Sequence, residues 1–335
     1  MLIKKVDRDL ARIVKKIGNS HFNPINAKDE MIKTFNDNNY NPKLKYLPQN
    51  KNIESIDKKL LALRTDNSVF GMLLKKKIIE LHNIFLMIKN TGKEGFTEYS
   101  IKVYGAPKPE LVNEARKILK IDEEEVWTKY SRLSMTKAFS DHFKINKLDW
   151  KIKEKEMVAG AAIDSKRKSL IINKNKDFSE NDVKRLMIHE IGTHVTRFEN
   201  GKKQKHKMFS FGFPGYLDTE EGLAAYNEYR AGLLSPKILR MYAGRVLAND
   251  MALKSSFSVV YNTLLEHFTR YDAWTLALRS KRGLSDTSKK GGFTKDHLYL
   301  KGFLKVKDFA EKGGDMKKLY TGKIGVEHVP YLEDI

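Results

Sequence analysis

FSENDVKRLMIHEIGTHVTRFENG, Phe178 to Gly201, is the stretch on which the reading of this chain turns. Ser179 is placed to cap a helix, and Asp182 at the third helical position completes a capping box. Phe178 can staple onto Val183, and Gly201 offers a stop after about twenty residues. The helix so defined carries His189, Glu190 and His194. Neutral imidazoles hold divalent metals, and a carboxylate beside the first can act as general base toward a water that the metal activates. The usual helical pair is four residues apart; here the histidines are five apart. On an ideal α-helix, five residues turn the second side chain about 140° from the first and lift it about 7.5 Å. One π-type turn, with its extra residue, restores a shared face, and Gly192 lies where distortion costs least. The spacing therefore predicts a π-bulge between His189 and His194. On spacing alone, a helix with one histidine against the core and the other exposed competes on equal terms.

Upstream, the period falls to two in WKIKEKEM (150–157) and KSLIIN (168–173), with the turn-rich DSKRK between them, which predicts a short hairpin or small sheet. Downstream, TEEGLAAYNEYRAGLL (219–234) reads as a second helix capped by Asp218 or Thr219. Adjacent helical residues diverge by about 100°, so only one of Glu220 and Glu221 can face the histidines. Ordinary first-turn complementarity to the helix dipole also accounts for such a pair.

The rest of the chain reads as mostly helical. Apolar residues at Ile3, Val6, Leu10, Ile13, Val14 and Ile17 keep helical spacing, as do segments near 55–65 and 68–91. Pro107 and Pro109 introduce another helix, PELVNEARKILK. The expected organisation is a helical N-terminal part, 1–110, and a catalytic region, 111–335, packed as one unit.

With no cysteine, the chain has neither disulfides nor thiolate metal sites, so a metal must be held by His, Asp or Glu. Lys plus Arg outnumber Asp plus Glu by 63 to 42, a net charge of +21 that attracts polyanions in general. The Lys- and Asn-rich composition of the whole chain explains much of that excess. KKQKHK (202–207) and SKRK (165–168) could line a groove for an acidic peptide or form exposed loops. No nucleic-acid-binding motif is present, so no specific nucleic-acid partner is expected. Neither a signal peptide nor an apolar run of about 18 residues is found, which points to a cytoplasmic protein without a membrane partner.

The motifs HEIGTHVTRFENG (189–201), TEEGLA (219–224), KRGLSDTSKKGGFTKDHLYLKG (281–302) and VYGAPKPELVNEARKIL (103–119) occur in order. Together they resemble the tyrosine carboxypeptidases that act on tubulin, a microtubule-associated metallopeptidase family, and bacterial relatives labelled by a QEGLA motif. The dipeptidyl peptidase III family is similar in histidine spacing but shares less of the remaining pattern. The resemblance implies an α+β, mostly α, zincin-like metallopeptidase with a small β-sheet beside the HExxxH helix. It implies one Zn²⁺ held by His189, His194 and Glu221, with Glu190 as general base. Glu220, which stands where relatives have Gln, is the fallback ligand. The implied reaction removes a C-terminal, tyrosine-like residue from a peptide or protein tail, which could be acidic. Such a reaction needs a cation for the terminal carboxylate, for which Lys281 and Arg282 are candidates. Tyr299 and His297 are candidates for stabilising the oxyanion. The competing readings are a dipeptidyl- or endopeptidase using the same zinc site, and a non-enzymatic basic protein whose structural metal site supports nucleic-acid or protein binding.

Overall fold

The capping box at Ser179 forms as the sequence predicts. Its hydroxyl accepts from the Asp182 amide at 3.0 Å, and Asp182 Oδ2 accepts from the Ser179 amide at 3.0 Å. The helix it starts, Glu180–Leu186, passes without a break into a π-helix, Met187–Val195, and then into the α-helix Thr196–Lys203. The computed structural model describes residues 2–17, 22–48, 52–122, 129–130, 132–157 and 160–335. It is α+β and mostly helical, with a three-stranded sheet. No helix among the described residues is long and apolar enough to cross a membrane.

Two compact units are formed, neither from one continuous segment. Unit 1 comprises Met1–Ile121, Lys237–Lys301 and Tyr331–Ile335; unit 2 comprises Asp122–Pro236 and Gly302–Pro330.

In unit 1 the N-terminal helices fall where the apolar spacing places them, at Leu2–Val14, Ile53–Leu61, Val69–Lys89 and Pro109–Ile118. Phe22, Met87, Ile88 and Phe96 pack with Leu284 and Phe293 into one apolar cluster. The KRGLSD segment thus belongs with the N-terminal helices, and the Leu44 amide donates to the Ser285 carbonyl at 2.9 Å. Gly283, at φ 95°, lies against Phe96 so closely that a Cβ would come within 2.1 Å of the ring. This position needs glycine both for its backbone angle and for space.

In unit 2 the sheet runs in the order 151–155, 169–173, 161–164. Lys151–Lys155 is parallel to Ser169–Asn173, and Ala161–Asp164 is antiparallel to it. The hairpin closed by DSKRK therefore joins Ala161–Asp164 to Ser169–Asn173. WKIKEKEM is not its first arm; it adds on the other side as a parallel neighbour, reached through a connection too long for a tight turn. Leu170 and Ile172 of the central strand join Met135, Phe139, Phe143, Trp150, Val183, Leu186, Ile191 and Val195 in the core of this unit. The helix that carries His189 and His194 is thereby clamped to the sheet by its apolar face.

Gly201 does not end the helix, which continues to Lys203. A Cβ at Gly201 would stand 2.2 Å from the Phe209 carbonyl oxygen, so this glycine admits the short helix Met208–Phe211 at close range.

Candidate metal centre

The π-helix spans both histidines, so the expected bulge is present. Two threonines reinforce it by reaching back five residues: Thr193 Oγ1 donates to the Ile188 carbonyl at 3.1 Å and Thr196 Oγ1 to the Ile191 carbonyl at 2.8 Å. Gly192 contributes less than the sequence suggested. It is exposed, its φ is ordinary, and the nearest atom to an added Cβ is 3.8 Å away. The wide turn rests on the threonines and on burial of Ile191 and Val195, at 2% and 1% exposure.

The facing helix is Leu217–Arg230. It starts before Asp218 and Thr219, so neither is its cap. Asp218 pairs with Lys305 at 3.1 Å, and Thr219 Oγ1 accepts from the Val326 amide at 3.0 Å. A Cβ at Gly222 would lie 2.1 Å from the Gly302 carbonyl, and one at Gly302 would lie 1.8 Å from the Asp218 oxygen. This close approach explains the glycine in TEEGLA. From the same helix, Asn227 Nδ2 donates to Thr193 Oγ1 at 2.8 Å, tying it directly to the π-turn.

Across this contact, ligand atoms of His189, His194 and Glu221 come within 4.8 Å of one another, and this group could hold a metal ion. His194 Nε2 and Glu221 Oε2 are 3.9 Å apart, and the two imidazole rings are 5.0 Å apart at 78°. Tetrahedral zinc with bonds of about 2.0–2.1 Å sets its donors about 3.3 Å apart, so side-chain adjustments of about an ångström close the set. Two nitrogens and one carboxylate oxygen leave a fourth position open, the donor pattern of catalytic rather than structural zinc.

Two further carboxylates fix the rings. His189 Nδ1 is 2.6 Å from Glu228 Oε1, and His194 Nδ1 is 3.0 Å from Glu220 Oε1. Burial alone would raise the Glu228 carboxyl, but its bond to His189 and the Arg185 guanidinium 3.0 Å away hold it below its ordinary value. Burial likewise opposes ionisation of Glu220, yet Lys323 at 3.1 Å and Arg197 keep it well below the usual carboxylate range. Both partners are therefore ionised acceptors. In the neutral ring each Nδ1 therefore carries the proton, and Nε2 is left to offer a lone pair to a metal. Glu220 is thus committed to His194, Arg197 and Lys323, while Glu221 faces the histidines. Burial draws the His189 imidazole down, but the Glu228 bond and the charges of Glu228, Glu190 and Glu221 together raise it.

Glu228 was not singled out in the sequence. It lies seven residues after Glu221, two helical turns along the same face, and that interval was the available signal. Arg197, fully buried, was missed as well. Its Nε donates to the carbonyls of Leu319 and Gly322 at 2.9 and 3.0 Å, and Nη1 pairs with Glu220. Glu190 is 5% exposed and makes no hydrogen bond or ion pair among the described residues. It is the buried carboxylate beside the ligand set left uncommitted.

The remaining candidates lie in unit 1. Lys281 is fully buried, and its ammonium donates to the carbonyls of Ala252, Ser255 and Lys289. Those bonds occupy it within the fold, and the reading of Lys281 as a carboxylate clamp is set aside. Arg282 keeps a partly exposed side chain, 3.6 Å from Asp296. His297 is 1% exposed, with Nδ1 2.6 Å from the Thr294 carbonyl. A carbonyl only accepts, so Nδ1 is the donor in this pair. The Tyr299 ring stacks on Tyr242 at 5.5 Å.

Three mammalian proteins named microtubule-associated tyrosine carboxypeptidase 1 are similar to this chain. The Homo sapiens and Rattus norvegicus proteins are each 29% identical over 161 residues, covering 44% of this chain and 32% of the relative. The Mus musculus protein is 28% identical over 153 residues, with the same coverage of 44% and 32%. The chain spans about a third of the length of these curated relatives. The family model for the microtubule-associated tyrosine carboxypeptidases matches residues 33–335. With nearly the whole sequence matched and a His–His–Glu centre on paired helices, this chain belongs to the microtubule-associated tyrosine carboxypeptidase family.

Proposed function

We propose that the chain is a zinc-dependent carboxypeptidase of zincin-like type, which removes a C-terminal, tyrosine-like residue from a peptide or protein tail. The observation that carries this reading is the joint placement of His189, His194 and Glu221, each imidazole turned by its own carboxylate, beside the uncommitted Glu190. The peptidase class and the preference for tyrosine follow from the family and from the names of the relatives.

A bound zinc ion would supply Lewis acidity, acidifying water and polarising the scissile carbonyl. His189, His194 and Glu221 would hold it. Glu228 and Glu220 fix the ring orientations and, in the neutral rings, hold the proton on Nδ1, so that Nε2 is the atom offered to the ion. Glu190 takes the proton of the attacking water and returns it to the leaving amine as the C–N bond breaks. Binding of the terminal carboxylate needs a cation, a role for which Arg282 is supported by its place in the family pattern, as is Tyr299 for oxyanion stabilisation. An acidic tail suits a chain with a net charge of +21.

The test is digestion of a peptide library with free and amidated C-termini, with and without a chelator, read by mass spectrometry. Chelator-sensitive loss of single C-terminal residues from the free set alone is expected. Cleavage indifferent to amidation would replace this reading with an endopeptidase, and absence of chelator-sensitive cleavage would remove the enzymatic reading.

A further inference from the structure

The helix that carries the histidines is held from outside by different partners on either side of its π-turn. Its first half, Glu180–Leu186, is fixed by the capping box at Ser179, by Val183 and Leu186 in the core of unit 2, and by Arg185, whose Nη1 pairs with Glu228 at 3.0 Å. Its second half carries Thr193, Arg197 and Asn200 along one face, at steps of four and then three residues. That face meets the segment 319–326, far along the chain but in the same unit. Arg197 Nε donates to the carbonyls of Leu319 and Gly322 at 2.9 and 3.0 Å, and Nη2 donates to that of Ile324. Asn200 Nδ2 donates to the Tyr320 carbonyl at 3.0 Å.

Asn227 on the facing helix completes the link: its Nδ2 donates to the Tyr320 hydroxyl at 2.7 Å and to Thr193 Oγ1 at 2.8 Å. The segment is itself moored. The Lys323 amide donates to the Phe209 carbonyl at 2.7 Å, the Phe213 amide to the Lys323 carbonyl at 2.9 Å, and the Val326 amide to Thr219 Oγ1 at 3.0 Å. The threonines and the burial of Ile191 and Val195 support the wide turn once it has formed, but they do not select it. Thr193 and Thr196 reach back five residues here, and the same hydroxyls can bond the carbonyl four back in an α-helix. Val195 and Phe198 touch the core, but apolar contact is non-directional. A guanidinium set on three carbonyls is directional, and it fixes a rotation.

We propose that the segment 319–326 is the keeper of the π-turn. It holds Arg197 and Asn200 directly and Thr193 through Tyr320 and Asn227. It thereby sets the rotation of the second half-helix against the first and brings His194 to the side of His189. Rewound as uninterrupted α-helix, the same residues would set the two imidazoles about 140° apart. Tyr320 and Asn227 are thus positioning residues, which act on the ligand pair through Thr193. The effect on zinc rests on the metal-binding part of the proposed function; the effect on the turn does not.

The test uses the full chain, with Tyr320→Phe and Asn227→Leu made both in the wild type and in a protein lacking Gly192. That deletion takes out the extra residue, so the histidines fall four apart and share a face of a plain α-helix whatever the segment does. Zinc affinity is measured by competition with a chromophoric chelator. Amide exchange across Met187–Val195 is followed by mass spectrometry on metal-free protein. With Gly192 present, Asn227→Leu should weaken zinc binding about tenfold and speed exchange across the turn about tenfold, and Tyr320→Phe should change both about threefold. With Gly192 deleted, neither substitution should change either quantity by more than about twofold.

Unchanged affinity and exchange in Asn227→Leu would overturn the assignment. Equal losses in both backgrounds would make Tyr320 and Asn227 general props of the fold and also overturn it. So would a folded deletion protein that binds no zinc while the wild type does, since the histidines would then need more than a shared face. If the deletion protein does not fold, a cycle of Asn227→Leu with Thr193→Val takes its place: the double variant should lose no more than the worse single one, and additive losses overturn the link. A wild type that takes up no zinc refutes the metal reading, and the exchange comparison alone then decides this one.

Discussion

Replacing Glu228 by Gln tests whether the carboxylates behind the histidines tune the metal centre. The substitution preserves volume and an oxygen acceptor for His189 Nδ1 but removes the charge. At 2.6 Å and with the carboxylate fully buried, this is a charge-assisted bond, a class worth about 1.5–3 kcal/mol, against about 1 kcal/mol for a neutral one. The difference, roughly 0.5–2 kcal/mol, corresponds to a loss of about two- to thirtyfold in metal affinity, overlapping the range of about 10–100-fold typical of lost outer-shell partners. Arg185 also loses its buried ion pair, so some stability should go with it. Zinc affinity is measured by competition with a chromophoric chelator, with circular dichroism as the check on folding. Glu221→Gln, which removes a ligand, should lose far more. A folded Glu228→Gln protein with wild-type affinity would refute the argument that Glu228 sets the donor character of His189.

The other expectations concern catalysis and folding. Glu190→Gln should lower turnover by about two to four orders of magnitude while metal content stays at the wild-type level, checked by initial rates beside elemental analysis. Gly222→Ala should destabilise by about 2 kcal/mol or more, because its Cβ meets backbone rather than a flexible side chain; Gly192→Ala should stay within about 0.5 kcal/mol, and urea titration of both separates the two glycines. Lys281→Met should cost about 3 kcal/mol through the carbonyls it leaves unpaired, measured in the same way. Asp286, through Lys43 and Ser288, has its carboxyl lowered to about 2. Its contribution is present above the unfolded value near 4 and lost as pH falls toward 2, and it amounts to less than about 1 kcal/mol because the pair is solvent-screened. Acid titration of Asp286→Asn beside the wild type should show the two stability curves converging across that window.

What the sequence disclosed was local. The Ser179–Asp182 box, the need for a π-turn between histidines five apart and the rival claims of Glu220 and Glu221 are all matters of helical geometry over a few residues. Glu228 escaped because a carboxylate on a helix otherwise reads as a solvated face, and only its register with Glu221 distinguishes it. Arg197 escaped because its acceptors, the carbonyls of Leu319 and Gly322, lie more than 120 residues away. Lys281 and Ala161–Asp164 failed for related reasons. A lysine's burial depends on which carbonyls tertiary folding brings to it, and a four-residue strand carries too little alternation to stand out beside WKIKEKEM. Gly192 and Gly201 show the converse: glycines that suggested backbone distortion and a helix stop proved to be, respectively, unneeded for space and needed for close packing.

The most direct test of the metal centre is elemental analysis of purified protein reconstituted with zinc, comparing the wild type with Glu190→Gln, His189→Ala, His194→Ala and Glu221→Ala. We expect about one zinc per chain in the wild type and in Glu190→Gln, and near-complete loss in each ligand variant that remains folded. Full zinc retention in folded His194→Ala or Glu221→Ala, or a wild type that takes up no zinc, would contradict the assignment of His189, His194 and Glu221 as the ligand set.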